Sequence, residues 1–238
     1  SSAGQDYHLQ TTSPLIDRCV NGLTTDFDNE RRPIVLQTAA SPYDMGADEV
    51  SGAARVGING ASCAYGTLQQ AINAAEDGDT LQIAEGVYFE NVGIYDKDII
   101  LAGGYESDCA TAGAGASRVE GSMGSGNTID VDYASVTLRD LEVAWGSGIG
   151  GGVQAGSSAQ VTLDNADVYN NHGSYGGGVY IGTTSAVTLT NYSDVHDNTA
   201  SIYGGGARVW GTLVGTETDS DISYNCAPHG GGASVVGG

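Results

Sequence analysis

The segment VTLDNADVYNN at residues 161–171 returns in altered form as VTLTNYSDVHDN at residues 187–198. Outward from this pair, the same signals recur along the chain. Aspartates at a constant spacing, each followed by an aliphatic residue, form two columns: Asp140, Asp167, Asp194 and Asp221, then Leu141, Val168, Val195 and Ile222. Blocks of three glycines recur at nearly the same spacing, beginning at Gly150, Gly176, Gly204 and Gly230. A regular period of this kind indicates stacked repeats of about 27 residues.

The residue types within each repeat select the kind of coil. Runs such as AVTLT at residues 186–190 alternate apolar and polar residues, as short strands do, but they are too short to be stable alone. Stacked coils let each strand pair in parallel with its copy about 4.8 Å away, which merges the inward side chains into one core. Glycine triplets and β-branched runs disfavour helices. The sequence therefore predicts an all-β fold, a right-handed parallel β-helix or solenoid.

An asparagine column follows the aspartates, four positions further along each repeat. Its members are Asn171, Asn198 and Asn225, with Ala144 at the corresponding place in the earlier coil. Asparagine tolerates the left-handed backbone of a tight corner, and its amide can hydrogen-bond to the same amide in neighbouring coils. We therefore predict a structural asparagine ladder.

The charge balance excludes several classes of partner. The chain has 29 acidic residues against 8 lysines and arginines, a net charge of −21. Such a surface repels phosphate backbones and anionic lipids, so we expect no nucleic-acid partner and no direct membrane insertion. No apolar stretch approaches the roughly 20 residues of a membrane span. No cofactor is expected to be required, and Ca²⁺ is the cation that this surface would attract.

Four cysteines allow three complete pairings, and none lies in a C-x-x-C motif: Cys19, Cys63, Cys109 and Cys226. We predict a disulfide between Cys63 and Cys109, because both flank the same predicted cap. A disulfide fits an oxidising, extracellular compartment. The alternative is that the thiols are free and buried.

One helix is predicted near residues 67–76, with Thr67 and Gln70 as a capping box and Gly78 as the C-terminal stop. We expect it to plug one end of the β-helix, which would otherwise expose strand edges and apolar interior. The predicted domains are a closing or anchor-like module, or a connector between β-helices, at residues 1–62 and the β-helix at residues 63–238. Within the latter, residues 63–105 form the cap and first coils, and residues 106–238 form the repeats.

Three parts of the chain resemble known families of surface proteins. Residues 63–105, with TLQQAINAAEDGDTLQIAEGVYFEN, resemble the opening of bacterial pectate-lyase-like β-helix proteins. The V-x-x-N and G-G-G-V pairs of the repeats are similar to those of polymorphic outer-membrane proteins, with Val or Ile in place of Phe and Gly in place of Ala. Residues 6–49 resemble the terminal module of choice-of-anchor surface proteins. The resemblance implies a β-helix on a bacterial surface and leaves the chemistry open.

Two groups of acidic residues are candidate Ca²⁺ sites. Asp140, Asp167, Asp194 and Asp221 would stack on neighbouring coils, where like charges are unfavourable unless water or a cation separates them. Solvated turn aspartates are the alternative interpretation. The second group lies in the first module: Asp26, Asp28, Asp44, Asp48 and Glu49. Its spacing lacks the mid-loop glycine of an EF-hand, and turn structure or an ion pair with Arg31 or Arg32 would also explain it.

The function expected from these features is an extracellular structural or adhesive element, secreted or on a bacterial cell surface. It would be a subunit of a head-to-tail fibre or a segment of a larger protein, with copies of itself, neighbouring β-helix segments or glycans as partners. We expect no enzyme, since no paired acid and base residues are evident. The alternative is a carbohydrate-binding or polysaccharide-cleaving β-helix, because aromatic residues in the repeats could stack on sugars. A weaker alternative is an ice-binding solenoid, based on Thr137, Thr162 and Thr188.

Overall fold

The computed structural model describes residues 55–121, 126–216 and 219–236, which belong to one compact unit. Along these residues the chain winds through successive coils, and each coil contributes one strand to each of three sheets. Neighbouring coils pair in parallel, and the turns are about 26 residues long. The predicted all-β solenoid is confirmed.

Strands are numbered in chain order. Sheet 1 consists of β1 (Val56–Ile58), β2 (Thr80–Ala84), β5 (Ile99–Tyr105), β8 (Ser135–Arg139), β11 (Gln160–Asp164), β15 (Ala186–Thr190) and β19 (Thr212–Gly215). Sheet 2 consists of β3 (Gly86–Phe89), β6 (Ser117–Glu120), β9 (Leu141–Ala144), β12 (Asp167–Tyr169), β16 (Asp194–His196) and β20 (Asp221–Ser223). Sheet 3 consists of β4 (Val92–Tyr95), β7 (Ile129–Asp132), β10 (Val153–Ala155), β14 (Val179–Ile181), β18 (Ala207–Val209) and β21 (Ala233–Val235). A short sheet 4 pairs β13 (His172–Tyr175) with β17 (Thr199–Tyr203).

The core consists of inward side chains aligned along the solenoid axis. On sheet 2, Val143, Val168 and Val195 occupy paired positions and are buried, and Ile222 continues this column. The sequence-based register was wrong at its first member, because Leu141 pairs with Ser117 and lies two residues before Val143. The cause is variable coil length: the step from Val143 to Val168 is two residues shorter than the step from Val168 to Val195.

The asparagine ladder lies inside the solenoid. The Asn198 side-chain oxygen accepts hydrogen bonds from the backbone N–H and the side-chain amide of Asn171, at 2.9 and 3.0 Å. Asn225 does the same for Asn198, at 2.8 and 3.1 Å. Each amide also donates to a carbonyl of the preceding coil, from Asn198 to Val168 at 2.8 Å. These bonds satisfy buried backbone groups at a corner where no strand ladder can do so.

The third glycine of each triplet makes room for this ladder. A Cβ at Gly178 would lie 2.7 Å from the Asn198 amide nitrogen and 2.6 Å from a methyl group of Val195. Gly152 and Gly206 stand in the same relation to Asn171 and Asn225. Glycine is therefore required here by close packing, in addition to the positive φ of 75° at Gly176, the first glycine of its triplet.

A short helix, α1 (Leu68–Ala74), covers one end of the core with Leu68 and Ile72. It is shorter than predicted at its C-terminal end, although the Thr67 side chain caps the N-terminus by accepting from the N–H of Gln70 at 3.2 Å. The Glu90 carboxylate accepts from the first backbone N–H groups of the helix at 2.8 and 3.0 Å. The Lys97 ammonium donates to three carbonyls near the other terminus at 2.7–2.9 Å. Both charges complement the helix dipole.

The predicted disulfide between Cys63 and Cys109 is present, and its two cysteines are separated by 46 positions in the chain. It links the loop that follows β5 to the segment before α1. That segment contains β1, which pairs antiparallel with β2. Cys226 is free and exposed. Among the described residues, no helix has the length and apolar character needed to cross a membrane.

Candidate functional site

The outer surface of sheet 2 carries a group of polar and aromatic side chains that we call the acidic–aromatic face. Three lines of residues run along it, parallel to the solenoid axis. The first line begins with Arg118 and continues with four acidic residues, which we call the acidic line: Glu142, Asp167, Asp194 and Asp221. The second line is Phe89, Glu120, Ala144, Tyr169, His196 and Ser223. The corner line, one residue further, is Trp145, Asn170, Asp197 and Tyr224.

The acidic line corrects the predicted aspartate column. Asp167, Asp194 and Asp221 do occupy paired positions on β12, β16 and β20. The residue that pairs with Asp167 on β9 is Glu142, whereas Asp140 lies in the turn before that strand and accepts from the Asn165 amide at 2.6 Å.

Sequence reasoning missed Glu142 because it extended the constant aspartate spacing into a coil that is two residues shorter. The VTL triplets carried the correct signal. Those that begin at Val136 and Val161 are aligned on β8 and β11, and they lie two residues closer together than Asp140 and Asp167 do. Counting from the triplets instead of the aspartates would have reached Glu142.

Glu142 is the most strongly bonded carboxylate of the face. The guanidinium of Arg118 lies 2.6 Å from it, and the Tyr169 hydroxyl donates to the same oxygen at 2.8 Å. Burial and the hydrogen bond to Glu142 raise the pKa of Tyr169 to about 12. The hydrogen bond to Glu142 also raises the pKa of Arg118, whose guanidinium bonds to Glu120 at 3.2 Å as well. These charge-assisted bonds fix the orientation of the Glu142 carboxylate.

Two rings continue the face next to this cluster. The Tyr169 and His196 rings stack with centroids 5.4 Å apart and planes within 5° of parallel. The Nδ1 of His196 lies 2.8 Å from the Asp197 carboxylate, which orients the imidazole. The stack presents ring edges and polar atoms together, beside the carboxylates of the acidic line.

Glu142 lies beside a cation, whereas the nearest charges to Asp167 include two other carboxylates. Partial burial raises the pKa of its carboxyl, and the neighbouring charges of Asp194 and Glu142 raise it further, against a smaller lowering by His196. Three residues earlier, Asp164 shows the reverse balance. Burial would raise the pKa of Asp164, but the hydrogen bonds from Asn191 and Arg139 bring it below its ordinary value.

These two carboxyls predict opposite effects of pH. A raised pKa in the folded state means that Asp167 costs stability when ionised, and that this cost disappears as pH falls through its folded pKa. We expect Asp167→Asn to increase the free energy of unfolding at pH 7 by about 0.5 kcal/mol, the size of one cross-strand charge effect. The gain should shrink on acidification, measured by urea denaturation from pH 7 to about pH 2.5, a range that extends below the ordinary aspartate pKa.

Asp164→Asn is the matched control. Its lowered pKa means that the ionised carboxyl stabilises the fold above its unfolded pKa, and that this contribution is lost as pH falls through the folded pKa. This variant should therefore be less stable than wild type at pH 7 and approach it in acid. Equal pH profiles for the two variants would contradict the assignment.

An open cleft of about 520 Å³ adjoins the acidic line on the side away from Tyr169 and His196. One wall is the loop that the disulfide fixes, with Gly113, Ala114 and Gly115, and the Gly115 N–H donates to Glu85. The opposite wall carries Glu142 and Asp167. The small side chains leave main-chain polar groups near the carboxylates, an arrangement that suits a ligand with many hydroxyl groups.

The remaining predicted residues lie elsewhere. Among residues 55–121, 126–216 and 219–236, no group of three or more His, Cys, Asp or Glu side chains is arranged to hold a metal ion. Asp26, Asp28, Asp44, Asp48 and Glu49 lie outside the described residues, and Ca²⁺ binding stays a prediction. Thr137, Thr162 and Thr188 are aligned on sheet 1, on the opposite side of their strands from the buried Val and Leu residues.

The fold and this face define a parallel β-solenoid with a polar and aromatic outer surface. Comparison of the chain with protein-family models, with curated proteins and with solved structures found no match.

Proposed function

We propose that this protein is an adhesive β-solenoid, secreted or displayed on a cell surface, which binds neutral glycans through the acidic–aromatic face. The observation that carries the proposal is the close arrangement of Glu142, Tyr169 and His196 on a rigid sheet, beside an open cleft. The disulfide between Cys63 and Cys109 supports an oxidising, extracellular location. Strands hold these side chains more rigidly than loops would, which lowers the entropy cost of binding.

The chemistry of the face favours neutral sugars over charged ones. Carboxylates such as Asp167 and Asp194 accept hydrogen bonds from sugar hydroxyls, and the ring edges of Tyr169 and His196 offer apolar contact beside them. The acidic line, on a chain with a net charge of −21, opposes the approach of uronate or sulfated polysaccharides. End-to-end joining of copies is a separate prediction that this proposal does not require.

The test is direct binding of neutral and uronate hexasaccharides, measured by calorimetry. We expect a neutral hexasaccharide to bind and Tyr169→Ala to weaken it about tenfold, because the variant removes the ring edge and the hydroxyl that helps to orient the Glu142 carboxylate. Tyr95→Ala is the matched control, because Tyr95 is 56 % exposed on sheet 3 and should leave the affinity unchanged. Absence of binding to every neutral probe, or a preference for the uronate, would contradict the proposal.

Polysaccharide cleavage is the second candidate, favoured by the contrast between Glu142 and Asp167. The two residues occupy paired positions on neighbouring strands, and their environments differ: Arg118 forms an ion pair with Glu142, while burial raises the pKa of Asp167. Such a contrast is how proteins separate a proton donor from a nucleophile or base. Release of reducing ends from a bound neutral polysaccharide, abolished by Glu142→Gln, would support cleavage. Binding without release of reducing ends would support the adhesive function and contradict cleavage.

A further inference from the structure

Four aromatic residues of the described chain have a backbone conformation that aromatic residues rarely adopt. Their φ angles are positive: 53° at Tyr133, 62° at Trp145, 61° at Tyr192 and 52° at Tyr224. All four side chains are exposed, by 39 % at Trp145 and 86 % at Tyr224. A bulky residue in this region costs backbone energy, and a ring as exposed as that of Tyr224 recovers little of that energy by burial. Strain of this kind is a reason to look for a function.

Trp145 and Tyr224 belong to the same line, the corner line of the acidic–aromatic face. The two residues between them in that line, Asn170 and Asp197, have φ angles of 53° and 52°. Asparagine and aspartate tolerate this conformation, so the corner is formed satisfactorily in those coils without any ring. The rings at the two flanking positions are therefore not needed to make the turn.

We infer that Trp145 and Tyr224 are sugar-stacking platforms, and that the ligand is an extended neutral oligosaccharide lying along the solenoid axis. This inference rests on the proposed function. Three coil spacings, about 14 Å in total, separate the two positions, so a ligand that reaches both spans several sugar units. Between them it passes Tyr169 and His196 on the second line, whose hydroxyl and imidazole lie beside the carboxylates.

The test combines stability with binding, because binding should fall while stability is kept. Trp145→Asn and Tyr224→Asn place a residue that tolerates positive φ at each corner, so neither should lower the midpoint of thermal unfolding, and Tyr224→Asn, which gives up little buried area, should raise it by about 2 °C. Each should also weaken binding of a neutral β-linked hexasaccharide at least fivefold. Binding of the corresponding disaccharide, which is too short to reach both rings, should be much less affected in at least one of the two variants.

Tyr133→Asn is the matched control, since Tyr133 has the same backbone conformation at the corner between sheets 3 and 1. It should raise the unfolding midpoint similarly and leave hexasaccharide affinity unchanged. If wild type binds no neutral probe, the proposed function fails and this inference with it. If wild type binds and both corner variants bind equally well, only the inference is overturned. Lower stability together with lost binding would also overturn it, because the rings would then be structural.

Discussion

Asn198→Ala should lower the free energy of unfolding by about 3 kcal/mol, the largest effect we expect from removing a polar side chain. The Asn198 side chain is fully buried and accepts from the backbone N–H of Asn171 at 2.9 Å. Its amide donates to the Val168 carbonyl at 2.8 Å. Alanine would leave these groups without partners in a place that water does not reach, and the full desolvation cost would appear. Urea denaturation followed by circular dichroism measures the loss.

The control for this prediction is Asn170→Gly, in the neighbouring position of the preceding coil. Asn170 is exposed and has a φ of 53°, which glycine adopts without strain, so the change should be within about 0.5 kcal/mol of wild type. Amide hydrogen exchange gives a second, local readout, in which the N–H of Asn171 should lose protection in Asn198→Ala. Equal losses of stability in the two variants would show that the ladder contributes little.

Gly178→Ala should destabilise the protein by about 3 kcal/mol through overpacking. The added methyl group would lie 2.6 Å from a Val195 methyl, 2.7 Å from the Asn198 amide nitrogen and 2.9 Å from the Gly206 carbonyl oxygen. One of these neighbours is backbone of the next coil, so a side-chain rotation cannot relieve all three contacts. The coils would have to separate locally, which weakens the pairing of β14 with β18.

Gly215→Ala is the matched substitution, because a Cβ at Gly215 would meet no atom within 4 Å. It should leave stability unchanged or raise it slightly, since alanine reduces the entropy of the unfolded chain. Thermal unfolding of the two variants side by side separates the packing effect from the general effect of replacing glycine. A small effect at Gly178 would mean that neighbouring coils are less tightly stacked than these three contacts require.

The sequence predicted those features of this protein that local chemistry repeats in every coil. Alternating runs such as residues 186–190 can be stable only when stacked, so the period and the alternation together required a parallel solenoid. The Thr67 cap and the pairing of Cys63 with Cys109 were also predictable, because both lie near a helix with its own local signals. The C-terminal end of α1 was less predictable, because its carbonyl groups are bound by Lys97, which is distant in the chain.

The register of the acidic positions between coils was decided by the strand pairing, although the spacing of the VTL triplets at Val136 and Val161 already indicated it. A coil may gain or lose two residues in its turns without changing its strands, so a constant spacing counted back from Asp167 reaches Asp140, whereas the strand pairing selects Glu142. The acidic–aromatic face depends on that register, because Arg118, Glu142 and Tyr169 meet only across neighbouring strands. Likewise, backbone conformation at Trp145 and Tyr224 is set by the corner that the stacked coils impose, and nothing in the local sequence indicates it.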